Sequence, residues 1–394
     1  MQLNQGLWGL LLIATCGVSG FAQEAELEVG EGSLYTRLGL YHKDDSGGGN
    51  PFYDESLTVI EPALVMDYRL SEDWSLGADL LFDHVSSASI KRLGDRSAYP
   101  NTQQSGASGD FFAGATLRAR RHLDEGRSWG GLLGVSGEYD YTSLSFGGDY
   151  SWEREDRNAS FTVGLGGFYD TVKIIRWDGT QTEGNDQRFS LSTNLAWYQA
   201  IDGRTHGTLG LTHTQQSGFL ETPYNAITLE DGTNPPNPNL EDDALGVEAT
   251  EELPGQRGRD ALFGRLRRYL GADTSLELGG RYYLDDWGIG AWSLEPRLYH
   301  QLVDDRLGLR LRYRYYTQTP ADYWAEHFAG TDPADAPTFR TQDPELGEFD
   351  SHTVGAQLSF KNDGAWGFDV SMDVIMRSDD LDHVLLTFGW NRRF

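Results

Sequence analysis

The side chains that could take part in chemistry form three groups: a histidine–serine pair, an oxygen-rich acidic segment and rows of alternating arginines. In the first group, His84 and Ser86 are separated by one residue, so their side chains lie on the same face of a β-strand. An imidazole beside a hydroxyl is a pair that hydrolases use, provided that a third group orients the base. Pairs of this kind also arise by chance in proteins with many strands. We therefore predict that the chain is not an enzyme, and keep a lipid-modifying enzyme as an alternative.

The second group is the segment 231–243, which reads DGTNPPN over 231–237 and EDD over 241–243. Oxygen-rich turns stiffened by proline are able to bind Ca²⁺. The segment has no twelve-residue EF-hand pattern, however, and acidic surface loops are usually just solvated. We therefore keep Ca²⁺ binding in the acidic outer loops as an alternative, and assign no other metal. The sequence has no glycine-rich phosphate loop and no histidine pair at helical spacing, so no other cofactor is predicted.

The third group is a set of arginines that alternate with apolar residues. Between 306 and 316, Arg310, Arg312 and Arg314 alternate with leucines and tyrosines, so all three share one face of a strand. The same alternation places further charged side chains on the polar face: Arg118, Arg120, Arg265, Arg267, Arg281, Arg297, Glu277 and Glu295. Rings of charge of this kind set the selectivity of a pore. Arginines paired with carboxylates would instead brace the wall of a barrel, and both interpretations stay open.

The elements that hold these residues are strands, as the end of the chain shows most clearly. Leu386, Phe388 and Trp390 alternate with polar residues, and Phe394 is the last residue. A strand with one apolar face is typical of an outer-membrane β-barrel, where that face meets lipid. The same four residues resemble the C-terminal signal that the barrel-assembly machinery of Gram-negative bacteria recognises. The predicted location is the bacterial outer membrane, with lipid, lipopolysaccharide and that machinery as partners.

The composition agrees with a barrel and excludes other classes. The hydrophobic fraction of 38% and the mean hydropathy of −0.51 are low for a membrane protein. Beyond the N-terminal run, no stretch approaches the ~20 apolar residues that a membrane-spanning helix needs. In a barrel only every second strand residue faces lipid, which removes the conflict. The formal charge of −28 argues against nucleic acid as a partner, because its recognition depends on clustered lysine and arginine.

Turns and loops alternate along the chain. Seven tight turns rich in glycine, asparagine and aspartate are expected at 71–73, 124–126, 155–157, 202–204, 271–273, 304–306 and 362–364. Three of the connections between them are long, at 89–109, 218–256 and 320–348. Short periplasmic turns and long outer loops are the asymmetry of an outer-membrane barrel. Seven turns imply eight outer connections, and hence an all-β, transmembrane antiparallel β-barrel of about sixteen strands, with fourteen or eighteen still open.

Six tryptophans lie close to the predicted turns or to the last strand: Trp74, Trp129, Trp152, Trp197, Trp366 and Trp390. An indole has an apolar body and a polar N–H group, which suits the headgroup level of a membrane. The sequence therefore predicts an aromatic membrane girdle on the turn side of the barrel.

The N-terminus reads as a targeting segment. We predict a signal peptide at 1–22, a short periplasmic leader at 23–32 and the transmembrane barrel at 33–394. An alternative is a lipoprotein, with Cys16 as the lipidated first residue. Cys16 is the one cysteine of the chain, so cleavage after Ala22 leaves no disulfide and no thiolate ligand.

Four segments carry a resemblance to a known family: DHVSSAS at 83–89, SGAS at 105–108, RYYLDDWG at 281–288 and RYRYYTQTPADY at 312–323. In these the chain resembles, over essentially its whole mature length, a bacterial family of outer-membrane barrels known as a domain of unknown function. The resemblance implies a barrel and transfers no activity. Because family members are often encoded near flavin-transfer and thioredoxin-like proteins, it also implies a redox-linked role in the envelope.

The function predicted from these observations is a porin-like pore for small hydrophilic solutes, with a charged lumen. One alternative is a barrel that encloses or anchors a lumenal or periplasmic partner protein, including a redox-linked partner of the envelope. The other is the lipid-modifying enzyme built on His84 and Ser86.

Overall fold

Strands form where apolar and polar residues alternate, and they end at the turn residues. The structure is a computed structural model that describes residues 27–45, 53–92, 103–104, 111–156, 158–176, 179–230, 247–362 and 366–394. The predicted signal peptide, Cys16, the acidic segment 231–243 and the motif at 105–108 lie outside the described residues. Within those ranges, no helix is long and apolar enough to cross a bilayer.

The described residues contain sixteen long antiparallel strands. They are β1 (Gly32–Asp45), β2 (Tyr53–Arg69), β3 (Trp74–Arg92), β4 (Phe111–His122), β5 (Arg127–Glu138), β6 (Tyr141–Glu153), β7 (Ala159–Lys173), β8 (Asn185–Asp202), β9 (Thr205–Gly218), β10 (Gln256–Gly271), β11 (Thr274–Asp285), β12 (Gly290–Val303), β13 (Leu307–Gln318), β14 (Phe349–Asn362), β15 (Trp366–Arg377) and β16 (Leu381–Arg393).

The sheet closes on itself. Each strand pairs with the next, and β16 pairs with β1 in a register that runs from Ser33 opposite Arg393 to Asp45 opposite Leu381. This closure confirms the predicted antiparallel barrel and its strand number of sixteen. Two further connections, residues 139–140 between β5 and β6 and residues 286–289 between β11 and β12, are short outer turns.

Strands meet at each of the seven predicted turns. In the turn between β10 and β11, Ala272 and Asp273 alone separate the strands, and their φ angles are 47° and 55°. Positive φ at both central residues is the geometry of a type I′ hairpin, which matches the twist of the flanking strands.

The outer connections differ from the prediction in two ways. The loop predicted from residue 89 starts later, because β2 and β3 continue pairing up to Tyr53 opposite Arg92. The other two long connections fold into a small structure of their own. In it, Ala226–Glu230 pairs antiparallel with Val247–Thr250 and parallel with Phe328–Ala329, and short 3-10 helices form at Pro333–Asp335 and Pro344–Leu346.

The two faces of the wall differ in chemistry. Large apolar side chains are exposed on the outer face, and Leu117 and Leu133 are 70% and 69% exposed. Leaving a continuous belt of this kind in water would forfeit roughly 25 cal/mol for each Å² of apolar surface. The inner face carries serine, threonine, glycine and charged residues. A closed barrel with an apolar exterior and a polar interior is a protein of the bacterial outer membrane.

Candidate functional site

The inner wall contains arginines that bridge neighbouring strands. Arg118 on β4 is 5% exposed, and its Nη2 donates to Oδ1 of Asp67 at 2.8 Å and to Oδ1 of Asp79 at 2.9 Å. Gly77 gives this guanidinium its space, because a Cβ on Gly77 would lie 2.7 Å from Cζ of Arg118. The sequence does not single out Asp67, Asp79 or Gly77, although their inward position follows from alternation in β2 and β3.

The same arrangement recurs around the barrel. Further inward pairs join Arg37 to Glu61, Arg120 to Asp149, Arg188 to Asp170, Arg297 to Glu277 and Glu295, and Arg312 to Asp373. Gly355 makes room for the last pair, since a Cβ there would lie 1.8 Å from Oδ1 of Asp373. The contacts of four predicted lumen arginines therefore fit the structural interpretation, in which ion pairs brace the barrel wall. These are Arg118, Arg120, Arg297 and Arg312.

Five of the predicted lumen arginines are arranged differently. Within the described residues, Arg265, Arg267, Arg281, Arg310 and Arg314 have no carboxylate within the 4.0 Å of an ion pair. Two of them lie over aromatic rings instead: the guanidinium carbon is 3.9 Å from the ring centre of Tyr299 for Arg267, and 5.1 Å from that of Tyr316 for Arg314. Arg265 and Arg281 are exposed although they point inward. The lumen beside them is therefore open to water.

The inward-facing charge is distributed unevenly around the barrel. On β10–β13 the inner face carries nine arginines and three carboxylates: Arg257, Arg259, Arg265, Arg267, Arg281, Arg297, Arg310, Arg312 and Arg314, with Glu277, Asp285 and Glu295. We call this face the basic wall. Among the described side chains of β2–β5, the inner face carries five carboxylates and three arginines: Glu61, Asp67, Asp79, Asp83 and Glu138, with Arg69, Arg118 and Arg120. These two faces are eight strands apart in a closed barrel of sixteen strands. An excess of arginines therefore faces an excess of carboxylates across the lumen.

The outer mouth is covered by the two folded connections, residues 219–230, 247–255 and 319–348, which together we call the outer cap. Backbone pairing of Glu252 with Arg340 and a hydrogen bond from Thr228 N to Oε1 of Gln342 (2.8 Å) hold its two halves together. Two buried apolar clusters lie beneath these contacts. One consists of Leu253, Trp287, Ile289, Ala321 and Leu346, and the other of Ile227, Leu229, Ala249 and Phe328.

The outer cap is anchored to opposite parts of the rim. On one side, Tyr224 donates to the Asp140 carboxylate beside β5 and β6, and Arg176 Nη1 lies 3.0 Å from Oε1 of Glu221. On the other side, Arg377 of β15 lies 2.8 Å from Oε1 of Glu345. Burial alone would raise the pKa of Glu345, but the positive charges around it, led by Arg377, hold that pKa at about 2. The cap is thus fixed across the mouth rather than at one edge.

A buried carboxyl lies at the centre of the cap. Glu251 is 1% exposed and accepts hydrogen bonds from Thr222 N at 2.7 Å and from Oγ1 of Thr341 at 2.6 Å. Burial, together with the negative charge of Asp343, raises the pKa of Glu251 to about 8. At neutral pH this side chain is mostly protonated.

The cap is therefore expected to loosen at alkaline pH. Because the pKa of Glu251 is higher in the folded cap than in an unfolded chain, its contribution to stability is present at low pH and lost as the pH rises through about 8. Limited proteolysis should find the wild-type cap resistant at acidic pH and cleaved at alkaline pH, whereas Glu251→Gln stays resistant at both. Glu326→Gln, at an exposed position of the same cap, should behave as the wild type. Equal cleavage of wild type and Glu251→Gln at every pH would contradict this role of Glu251.

The predicted girdle tryptophans lie on the outer face close to the turns. The rings of Trp74 and Trp129 meet edge to face with centroids 5.6 Å apart, and Trp152 lies 4.6 Å from Phe161. Trp197, Trp366 and Trp390 are also partly exposed there. Their place at the lipid headgroups stays a prediction.

The C-terminal residues of the predicted assembly signal lie along the seam of the barrel. Phe388 and Trp390 are exposed on the outer face of β16, where Leu386 is half-buried, and Phe394 exchanges two backbone hydrogen bonds with Gly32. Recognition of these residues by the assembly machinery stays a prediction.

The histidine–serine pair does not keep the spacing that suggested it. His84 is exposed on the outer face. A β-bulge follows it: Val85 lies opposite Val59, but the adjacent residue of β2, Thr58, lies opposite Ser87. Ser86 is the extra residue at this bulge, so the alternation assumed for the pair stops there. In addition, no group of three metal-binding side chains occurs among the described residues.

The sequence matches one known protein family. A family model described as a protein of unknown function (DUF3570) matches residues 9–383. No curated protein matches the chain.

Several solved structures are similar in shape. The toluene transporter TbuX of Ralstonia pickettii has a TM-score of 0.44 and 10% identity, over 93% of this chain and 90% of that one. The outer membrane protein OpdK of Pseudomonas aeruginosa has a TM-score of 0.44 and 8% identity, over 93% and 99%. A mutant form of the ferric enterobactin receptor PfeA of Pseudomonas aeruginosa has a TM-score of 0.45 and 13% identity, over 87% of this chain. The match covers 53% of that receptor, so this chain spans about half its length. At these values the likenesses transfer no solute or partner to this chain.

Proposed function

The chain belongs to the DUF3570 family of proteins of unknown function, and we propose that it is a passive outer-membrane channel for small hydrophilic solutes. The observation that carries the proposal is the water-exposed state of Arg265 and Arg281 on the inward face. Barrels of about eight strands are filled by their own side chains, whereas barrels of sixteen strands leave an aqueous lumen. An aqueous lumen lets inward-pointing charged side chains stay in contact with water, as Arg265 and Arg281 do.

Passage through this lumen is restricted at its outer end. The outer cap crosses the mouth and is fixed to the rim through Glu221, Tyr224 and Glu345. Below the cap, the wall is rigid because the bridging ion pairs fix one strand to the next. A fixed wall and a covered mouth favour small solutes that diffuse through, rather than a large substrate that needs the wall to move.

The experiment is planar-bilayer recording of the purified, refolded protein. We expect discrete, long-lived conductance steps in potassium chloride. Refolding is checked separately by the mobility shift on heating in a detergent gel, and detergent alone serves as the blank. A correctly refolded barrel that passes no current would overturn the proposal.

The alternative functions stay predictions, since no contact among the described residues favours one of them. A barrel that encloses a partner protein predicts a stoichiometric partner after mild solubilisation. A lipid-modifying enzyme predicts that Ser86→Ala changes the lipid composition of the outer membrane.

A further inference from the structure

The basic wall is unusual because its arginines are in excess in a strongly acidic chain. The chain has 60 aspartates and glutamates against 32 lysines and arginines. Elsewhere in the barrel most of the described inward arginines bind carboxylates, as Arg118 and Arg120 do, and Arg69 donates to Ser75 and to the carbonyl of Glu72. On β10–β13, Arg265, Arg281 and Arg310 face the lumen without such a partner among the described residues. Pairing for wall stability therefore does not explain them.

The register places two of these arginines side by side and the third further along the wall. Arg265 lies opposite Gly279, two residues from Arg281 on the same strand, while Arg310 lies opposite Tyr299. Neighbouring strands are about 4.8 Å apart and successive inward positions about 6.7 Å apart. Arg265 and Arg281 are thus separated by one strand and one inward position, about 8 Å, whereas Arg310 lies two strands and three inward positions from Arg281, roughly 20 Å. Like charges as close as Arg265 and Arg281 repel one another, so this pair costs stability when nothing is bound.

Two of the arginines are also held in place by aromatic rings. The guanidinium of Arg267 lies over the ring of Tyr299, and that of Arg314 lies over the ring of Tyr316, so the cation–π contact restricts each of them. The N–H groups at the edge of a guanidinium stay available when its face is covered. These edges donate in parallel to the two oxygens of a carboxylate or a phosphate.

We propose that the basic wall is a binding site for small oxyanions, solutes that carry a carboxylate or phosphate group, and that it makes the channel anion-selective. This inference rests on the proposed channel function and names its solute class. The acidic side chains of β2–β5 across the lumen strengthen it, because the field between the two walls drives an anion towards the arginines.

The overall charge of the chain and the basic wall predict opposite ion preferences. A channel governed by its net charge of −28 would attract potassium and exclude chloride. A channel governed by the basic wall has the opposite preference. The sign of the reversal potential in a potassium chloride gradient therefore shows whether the channel prefers potassium or chloride. We expect the sign that a chloride-selective channel gives.

The variant that tests the site is the triple substitution Arg265→Gln, Arg281→Gln and Arg310→Gln. These side chains have no ion pair to break among the described residues, so the barrel should still refold. We expect the variant to lose anion selectivity and become cation-selective. Arg154→Gln, which removes an arginine at a periplasmic turn outside the lumen, is the matched control and should keep the wild-type reversal potential.

Oxyanion binding is measured independently of conduction, by calorimetric titration of the detergent-solubilised protein with succinate in one arm and inorganic phosphate in the other. We expect binding in at least one arm, and a loss of about tenfold or more in the glutamine variant, because hydrogen bonds to charged groups contribute about 1.5–3 kcal/mol. Replacing the same three residues with lysine keeps the charge but removes the two-pronged donor geometry. The lysine variant should therefore keep anion selectivity while binding succinate or phosphate more weakly.

The outcomes distinguish this proposal from the channel itself. A refolded barrel that passes no current but loses oxyanion binding in the glutamine variant would keep the site and refute the channel. A conducting, cation-selective wild type would keep the channel and refute the site. Binding that is absent in both arms, or unchanged by the substitutions, would also refute the site.

Discussion

Arg118→Ala is expected to lower the free energy of unfolding of the barrel by about 3–5 kcal/mol, the usual cost of removing one partner of a buried ion pair. Arg118 is the shared partner of Asp67 and Asp79, and its side chain is 3% exposed. Without the guanidinium, two carboxylates remain close together on the inner wall with no positive charge between them. Urea unfolding in lipid vesicles, followed by tryptophan fluorescence, measures the loss.

Two further variants separate the charge effect from a simple cavity. Arg154→Ala removes an exposed ion pair with Asp156 and should change the stability by no more than about 1 kcal/mol. Arg118→Leu combined with Asp67→Asn and Asp79→Asn leaves no unpaired charge and should recover most of the stability. Wild-type stability in Arg118→Ala would show that the bridging pairs do not brace the wall.

Replacing residues 321–347 with a short glycine–serine linker is expected to raise the single-channel conductance several-fold. This segment carries Glu345, the anchor to Arg377, and Leu346 and Phe328, which belong to the two apolar clusters of the cap. Its removal takes away one half of the outer cap and leaves the other half without its backbone partners. Because the barrel strands are untouched, the wall of the lumen should keep its charge and therefore its ion selectivity.

A point variant and a control make this second experiment independent of the deletion. Glu345→Gln removes the charge of the anchor and should produce frequent transitions to a higher conductance. Glu326→Gln changes an exposed side chain of the same connection and should record as the wild type. An unchanged conductance after the linker replacement would mean that the outer cap lies outside the path of the ions.

The barrel wall follows from the sequence because its determinants are local. Alternation within one strand assigns each side chain to a face, and glycine or aspartate at a turn ends the strand. These two rules suffice for the strand number and for the inward position of arginines such as Arg265 and Arg312. The same rules fail at Ser86, where one extra residue interrupts the alternation without a signal in the sequence.

The partners of those arginines do not follow from the sequence, because they depend on register and on the size of the opposing residue. Arg118 meets Asp67 across 51 positions of the chain, and this contact requires a glycine at position 77. Arg265 and Arg312 look alike in the sequence, yet Asp373 lies beside Arg312 while Gly279 lies opposite Arg265. The outer cap is still less predictable, since contacts such as Thr228 with Gln342 join two connections that are separated by several barrel strands.

The seam between β1 and β16 has a consequence for the order of folding. Most neighbouring strands are joined by short hairpins, whereas the seam pairs Gly39 with Thr387, at opposite ends of the chain. The loss of chain entropy on closing a loop grows with its length, and contacts of this separation form slowly. The hairpins should therefore assemble first, leaving a curved sheet whose two free edges are β1 and β16. Free strand edges are templates for pairing with foreign strands, so the interval before closure is when this protein most needs protection.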